Sequence, residues 1–346
     1  VSGRLKLRRG FVVDEDPLTV EVDGERRAAW ADTAMLGEMR EGDEVVVNVE
    51  ALDLGLGSGG FDVVHVNLTR GLDGGGATGE HVMKLNYTSL QHPVAPVEGR
   101  HAPGTRPIPV LVLPLHGHLA PAAWGAIQRA PGIRLGYVQT AGGALPGSLS
   151  RDVVDLCERG FLNSHVTAGQ AYGGEHEAIS TAGALDAAGA LGWEAVIVGP
   201  GPGIIGSATR FGHGGAVSLE TAHTALALGL PTMVSPRLSS SDPRDRHRGL
   251  SHHTSTVLEV LLAPVTVPVP EDIARWPVGA EAQEALDKAL GDRHHVVHEE
   301  VDLDEYAGRG LPVKTMGRGL EEDPLFFAAP LAAGAALAGV LLRGKG

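Results

Sequence analysis

Short apolar runs alternate with amphipathic stretches through most of this chain, and the two halves of the pattern differ. Residues 109–115, 134–138, 162–166, 195–198 and 231–234 are apolar and strand-like. Each ends in a burst of Gly, His and small polar residues. Between them, 120–129, 148–159, 175–191, 217–228 and 254–262 carry helical spacing. Strands that alternate with helices of this length predict crossover units and a parallel sheet. Residues 265–269 add a sixth strand, 281–290 a helix, and 296–301 an edge strand.

Residues 1–90 read differently. Runs enriched in Val, Thr and Leu at 4–13, 18–22, 44–49, 63–68 and 81–87 are separated by turns such as Asp23-Gly24 and Glu41-Gly42-Asp43. That spacing predicts a small barrel. The glycine run 55–60 reads as a mobile hairpin loop, since no helix signal follows it. The fold class expected is α/β: a doubly wound parallel sheet with a small N-terminal β-rich, barrel-like domain. The boundaries are 1–91 for the barrel, 92–109 for a linker with five prolines, and 110–346 for an α/β domain with a C-terminal helix.

Composition narrows the class. Aromatics are 4% of the chain, so the cores are built from Ala, Val, Leu and Gly. The net charge is −14, which repels phosphate backbones and anionic lipid and disfavours nucleic acid and membrane as partners. A small anion in a locally basic pocket is still compatible with it. One cysteine, Cys157, excludes an intramolecular disulfide and a Cys-rich zinc motif. It lies on an apolar stripe and reads as buried and structural. No apolar run follows the basic residues near the start, so a secretory signal is not expected and the cytoplasm is. Residues 325–342 carry no charge and just reach the length of a membrane span. Seven alanines, two glycines and Pro330 weaken the drive into lipid, so a helix packed on the domain is preferred to a tail anchor. Self-association into a homo-oligomer is left open.

In an open parallel sheet, ligands bind beyond the carboxyl ends of the strands. His116, His118, His176, His213, His247, His252 and His253 all fall in such loops. If extended, the 116–118 segment would turn His116 and His118 to one side. His252 or His253, with Glu175, Glu177 or Asp242, would complete a three-ligand site for a divalent metal that activates water, and the set chosen is His116, His118 and His253. His252 and Glu175 complete the set expected for proton transfer, because an imidazole near neutrality suits general acid–base work. Loop histidines also cap helices or face solvent, and no His-Glu-x-x-His spacing is present, so the metal is the second reading. Cofactors are otherwise unassigned.

Gly201-Pro202-Gly203-Ile204-Ile205-Gly206 matches Gly-x-Gly-x-x-Gly directly after a strand. Gly212-His213-Gly214-Gly215 interrupts the helix that a dinucleotide site needs, so an anion of another kind is preferred there. The bet for anion binding is Gly199, Gly201, Gly203 and Gly206 with Arg210, Arg246, Arg248 and Thr254, since arginine presents a planar fork to phosphate or carboxylate. No Gly-x-Ser-x-Gly elbow supports Ser148 as a nucleophile.

Five segments together carry a resemblance: 54–60, 81–91 (His-Val-Met-Lys-Leu-Asn-Tyr-Thr-Ser-Leu-Gln), 114–118, 199–206 and 250–258. On them the chain resembles a bacterial family of unknown function, DUF3866, over nearly its whole length. In that family a basic residue often follows Met-Lys-Leu; here Asn86 stands there, which removes an ionic role from the position. The resemblance implies an ordinary soluble bacterial protein and carries no activity. The expected function is hydrolysis or group transfer on an anionic small molecule at the sheet edge. The alternative is a non-catalytic metabolite- or nucleotide-binding or scaffold protein, and either has a tail-anchored version.

Overall fold

A computed structural model describes residues 3–56, 59–76, 82–100 and 107–343. Gly57 and Ser58 of the glycine run, His81 at a predicted strand start, and 101–106 of the predicted linker lie outside the described residues. The chain forms two units, Val1–Glu80 and His81–Gly346.

The first unit is a closed barrel of β1 (Leu7–Glu15), β2 (Leu18–Val22), β3 (Glu25–Trp30), β4 (Glu44–Asn48) and β5 (Asp62–Asn67), in the order β1-β2-β3-β5-β4. Antiparallel pairing of β4 with β1 closes it, and β3 runs parallel to β5. Two short helices, α1 (Thr33–Leu36) and α2 (Glu50–Asp53), join the strands. Alternation explains the closure: Val45 and Val47 point inward from β4 and meet Val12, Val20, Val22 and Val64 in a valine core.

One buried carboxylate secures the turn before β4. Asp43, 1% exposed, accepts from Arg70 Nη2 at 2.7 Å, Asn67 Nδ2 at 2.8 Å and the Arg40 backbone N–H at 2.9 Å. The Arg70 contact, strengthened by Asn67, outweighs burial and holds its pKa down at about 2, against 3.8 for a free carboxyl. This stabilisation is complete above about pH 3.8 and is lost as pH falls through about 2. Asp43→Asn is expected to flatten the acid limb of barrel unfolding in that window. An acid limb identical to the parent's, followed through Trp30 fluorescence in a chain with the other tryptophans replaced, would refute the assignment.

The second unit opens with β6 (Val82–Lys84), paired antiparallel to β7 (His92–Val94). Part of the stretch read as a linker is therefore a strand, and the run 81–87 read as a barrel strand is built into the other unit. Lys84 accounts for this placement. It is 4% exposed and donates to the carbonyls of Thr167 and Ala171 and to Glu177 at 2.9, 2.6 and 2.5 Å.

The main sheet has eight strands, all parallel. They are β8 (Val110–Val112), β9 (Leu135–Thr140), β10 (Ser164–Ala168), β11 (His176–Ala178), β12 (Ala195–Pro200), β13 (Thr232–Val234), then β16 (Thr266–Pro270) and β17 (His295–Glu299). A two-strand ribbon, β14 (Leu238–Ser239) with β15 (Gly249–Leu250), lies between β13 and β16 in the chain. The order is β11-β10-β9-β12-β8-β13-β16-β17. Helices α3 (Leu119–Arg129), α4 (Arg151–Glu158) and α10 (Pro324–Arg343) cover one face over Leu111, Leu135, Tyr137 and Ile197. Helices α5 (Thr181–Ala187), α6 (Val217–Ala227), α7 (His252–Val260) and α8 (Gly279–Leu290) cover the other over Val110, Val138, Val166 and Val198. A short α9 (Leu303–Ala307) precedes α10. The fold class is the expected one: a parallel α/β sheet with helices on both faces and a small barrel.

The winding fixes where a ligand can sit. From β8 the chain leaves towards β9 over one face. From neighbouring β12 it leaves the opposite way, by α6 over the other face, to β13. Such a reversal opens a crevice beyond the carboxyl ends of the two strands. Helix α10 is long and apolar enough to cross a membrane, and 83% of its most apolar window is buried inside the unit.

Candidate functional site

Three loops meet at that reversal: those after β8, β12 and β13. The loop after β13 brings a buried charged network. Arg237, 5% exposed, reaches Asp242 at 3.4 Å. Asp242 also takes Nε and Nη2 of Arg244 at 2.9 and 2.8 Å and Arg318 at 3.4 Å. Asp323, fully buried, accepts from Ser239 Oγ, the Ser240 N–H and Arg318 Nε at 2.7, 2.6 and 3.0 Å. Three guanidinium groups thus face two carboxylates. Burial lowers the Arg237 pKa to about 10, which leaves it charged at neutral pH. Its Nε has no partner, nor does the buried Nε of Arg246.

Four histidines gather beside this network. His213 arrives from the loop after β12, His247 from the turn before β15, and His252 and His253 from the first turn of α7. The His213 and His253 rings stack with centroids 3.7 Å apart and planes at 8°. His252 lies 4.5 Å from His253 and 5.3 Å from His213, and His247 lies 4.8 Å from His253, centroid to centroid. The Nε2–H of His213 donates to the Arg210 carbonyl at 2.9 Å, which fixes its lone pair on Nδ1. That Nδ1, Nδ1 of His253 and Nε2 of His252 are buried without a partner. Each such atom costs about 1–3 kcal/mol until something meets it.

Burial first, and Arg237 among the charges that follow, lowers the proton affinity of all four rings. His253 is pushed down to about 2 and His247 to about 3, and His213 and His252 move the same way. The shift runs away from the near-neutral range expected of acid–base groups.

The sequence-based set divides. His116 and His118 do not face one point, because 116–118 is a 3₁₀ turn and not an extended segment. In such a turn residues i and i+2 diverge. His116 Nε2 meets Ser150 Oγ at 2.7 Å, and Ser150 caps α4; exposed Ser148 has no part in this pair. His118, fully buried, points at Ser235 Oγ at 3.3 Å and packs edge-on to Phe326. Glu175 cannot partner His252. It lies beside edge strand β11, not at a helix start, and β11 is five strands from β13, about 24 Å at 4.8 Å per strand. Its neighbour is His176 at 3.7 Å.

The glycines are explained by packing. A Cβ on Gly201 would stand 2.2 Å from the Ala144 carbonyl, and one on Gly143 would stand 2.1 Å from the Gly201 carbonyl, so two loops touch backbone to backbone. Gly199 sits against Leu113, and Gly206 against His213. Gly203, at φ +74°, serves the turn. No helix starts at these glycines; α6 begins at Val217. Arg210 is exposed and pairs with Glu259 at 2.8 Å, and Arg248 is exposed. Thr254 is buried and its Oγ1 accepts from the Arg237 N–H at 2.8 Å, so it positions the arginine. Of the named residues, His252, His253, Arg246 and Thr254 belong to the cluster.

The family described as Protein of unknown function (DUF3866) matches residues 28–334 of the 346. The chain belongs to the DUF3866 family. No curated protein and no solved structure matches it. The DUF3866 match spans every member of the cluster, from His213 to Asp323. Sequence reasoning gave His213 and His247 no role in the site, and it left out Arg318 and Asp323. The signal available was Arg237, the first charge after β13, where the crevice must open. A wide cleft of about 1250 Å³ lies elsewhere in the unit, lined by Glu271, Asp272, Glu299, Asp302, Glu305 and Arg275. It contains none of the convergent residues.

Proposed function

We propose that this DUF3866 protein is an enzyme that hydrolyses or transfers a group on an anionic small molecule, at the carboxyl edge of β8, β12 and β13. The observation that supports this is the convergence of four histidines, three with buried unpartnered ring nitrogens, on a charged arginine that is 5% exposed. A buried guanidinium with an unused Nε seeks a carboxylate or phosphate oxygen. Arg246, half-buried and also with a free Nε, is the second anion contact. Neutral imidazoles beside that anion supply nitrogen ligands or hydrogen-bond partners for the reacting group. The reading moves the site from His116, His118 and Glu175 to His213, His252 and His253.

A binder that does not turn over its ligand is the second reading. One observation favours it: among the described residues no carboxylate hydrogen-bonds any of the four rings to orient it as a base, since His213 meets a backbone carbonyl and His247 a serine hydroxyl. A panel of phosphate monoesters, nucleotides and dicarboxylates, assayed for heat of binding and for turnover, separates the two. Arg246→Gln, at a partly exposed position, is expected to weaken anion binding about tenfold with the fold intact. A panel in which no anion binds, or in which Arg246→Gln binds as tightly as the parent, would sink both readings.

A further inference from the structure

We infer that His213, His252 and His253 form a three-nitrogen site for a divalent transition metal of the zinc class. The inference deepens the reading above, because it places an ion in the same pocket.

One ring nitrogen from each of the three histidines lies within 4.8 Å of the other two, and the ring nitrogens left without a partner are Nδ1 of His213, Nδ1 of His253 and Nε2 of His252. The tautomer of His213 is set by the second-layer bond of its Nε2–H to the Arg210 carbonyl, as is usual for metal-bound histidine. A cation would hold the other two rings in the tautomer that turns a lone pair inward, which makes the inner set acceptor-only. A single water has two protons and leaves one of three lone pairs unmet. A cation meets all three.

Gly215 keeps the space open. A Cβ there would stand 2.9 Å from His253 Nδ1 and 3.1 Å from His213 Nδ1, so one point close to both nitrogens is vacant only because the residue is glycine. Gly215 is buried and lies in the turn that leads from His213 into α6. One ligand, His213, and this gap therefore come from one short segment, 213–215, packed on the first turn of α7, which brings the other two.

The donor set chooses the metal. Three neutral imidazoles and no carboxylate suit zinc, cobalt, nickel or copper; magnesium, calcium and manganese prefer oxygen. The ion keeps its full charge beside Arg237 and Arg246, so the fourth position takes hydroxide or an anionic group. The stacked His213 and His253 rings must incline towards each other for both lone pairs to reach one ion, which gives the loaded state its own ring signals.

The test uses the full chain after chelator treatment, titrated with zinc by calorimetry and with cobalt by visible absorption. One ion per chain is expected, with the intense cobalt bands of a four-coordinate site. His213→Gln and His253→Gln should each weaken zinc binding at least about 100-fold, since losing even an outer-layer partner costs 10–100-fold. Gly215→Ala fills the gap and should do the same with an unchanged circular dichroism spectrum. His298→Gln, at an exposed position, should bind as the parent does. Inorganic phosphate should tighten zinc binding. No uptake by the parent, uptake that survives both His213→Gln and His253→Gln, or loss in His116→Gln without loss in His213→Gln would each overturn the inference. The readout is the metal alone, so an inactive but zinc-loaded protein would refute the enzyme reading and leave this one standing.

Discussion

Asp242→Ala is expected to destabilise the second unit by about 3–5 kcal/mol, the cost of breaking a buried ion pair and stranding its partner. Asp242 is 2% exposed and is the only described carboxylate that contacts Arg237, Arg244 and Arg318 together. Burial alone would raise its pKa. The hydrogen bonds and charge of Arg244, with Arg318, outweigh that and hold the carboxyl well below the usual range. Without it, only Arg318 keeps a carboxylate partner among the described ion pairs, Asp323 at 3.0 Å. Arg244 has a route to water at 41% side-chain exposure; Arg237 and Arg318, at 6% and 13%, do not. The loss also frees the 239–244 turn, whose backbone is tied by Asp242 Oδ1 to the Arg244 N–H at 3.0 Å. Urea unfolding should show a lower midpoint at unchanged slope. Millimolar phosphate should restore part of the loss, since an added anion replaces the missing charge. A change under about 1 kcal/mol would mean that the arginines relax into solvent and that the network is not load-sharing.

Most of the sheet was legible in the sequence because its strands and helices differ in period. The elements that escaped share a cause. Strand β3, Glu-Arg-Arg-Ala-Ala-Trp, has three charges and no β-branched residue, and its pairing with β2 and β5 is decided by neighbours rather than by propensity. Strand β11, His-Glu-Ala, was absorbed into a predicted helix at 175–191; the contact of Glu177 with buried Lys84, from a segment about ninety residues earlier, holds it in the sheet. The site was legible only as a place. Strand ends show where loops converge, and the reversal beyond β8 and β12 says which loops matter. Which histidines meet depends on turn geometry: His116 and His118 part because their segment is a 3₁₀ turn, while His213 and His253 meet across forty residues of chain. The Gly-x-Gly-x-x-Gly match misled for a physical reason, since close approach of two backbones needs glycine as much as close approach to a phosphate does.

Gly334→Leu is expected to cost about 3 kcal/mol or more and to lower the melting temperature by about 6–12 °C. Helices α3 and α10 cross at near backbone contact. A Cβ on Gly334 would lie 1.9 Å from the Ala122 carbonyl oxygen and 2.9 Å from the Ala126 nitrogen, and one on Gly125 would lie 2.2 Å from the Leu331 carbonyl oxygen. These are main-chain atoms of a helix and cannot rotate away, so the two helices must separate and give up contacts along Leu119, Trp124, Phe327 and Leu331. Gly339→Ala has the opposite sign. Its nearest foreign atoms, on Arg343 and Glu299, are side-chain atoms at 3.6 and 3.7 Å, so it gains about 1 kcal/mol of helix propensity unopposed. The pair also separates the two fates that the sequence allowed for this segment. In a bilayer, leucine at 334 adds apolar surface and would strengthen membrane association with no effect on the remaining fold. Packed on α3, the same change is severe. The Ala and Gly content that weakens any drive into lipid is what lets α10 lie this close to α3, so one composition argues against the bilayer and for the core. Thermal melts and vesicle flotation of the two variants read the two outcomes independently.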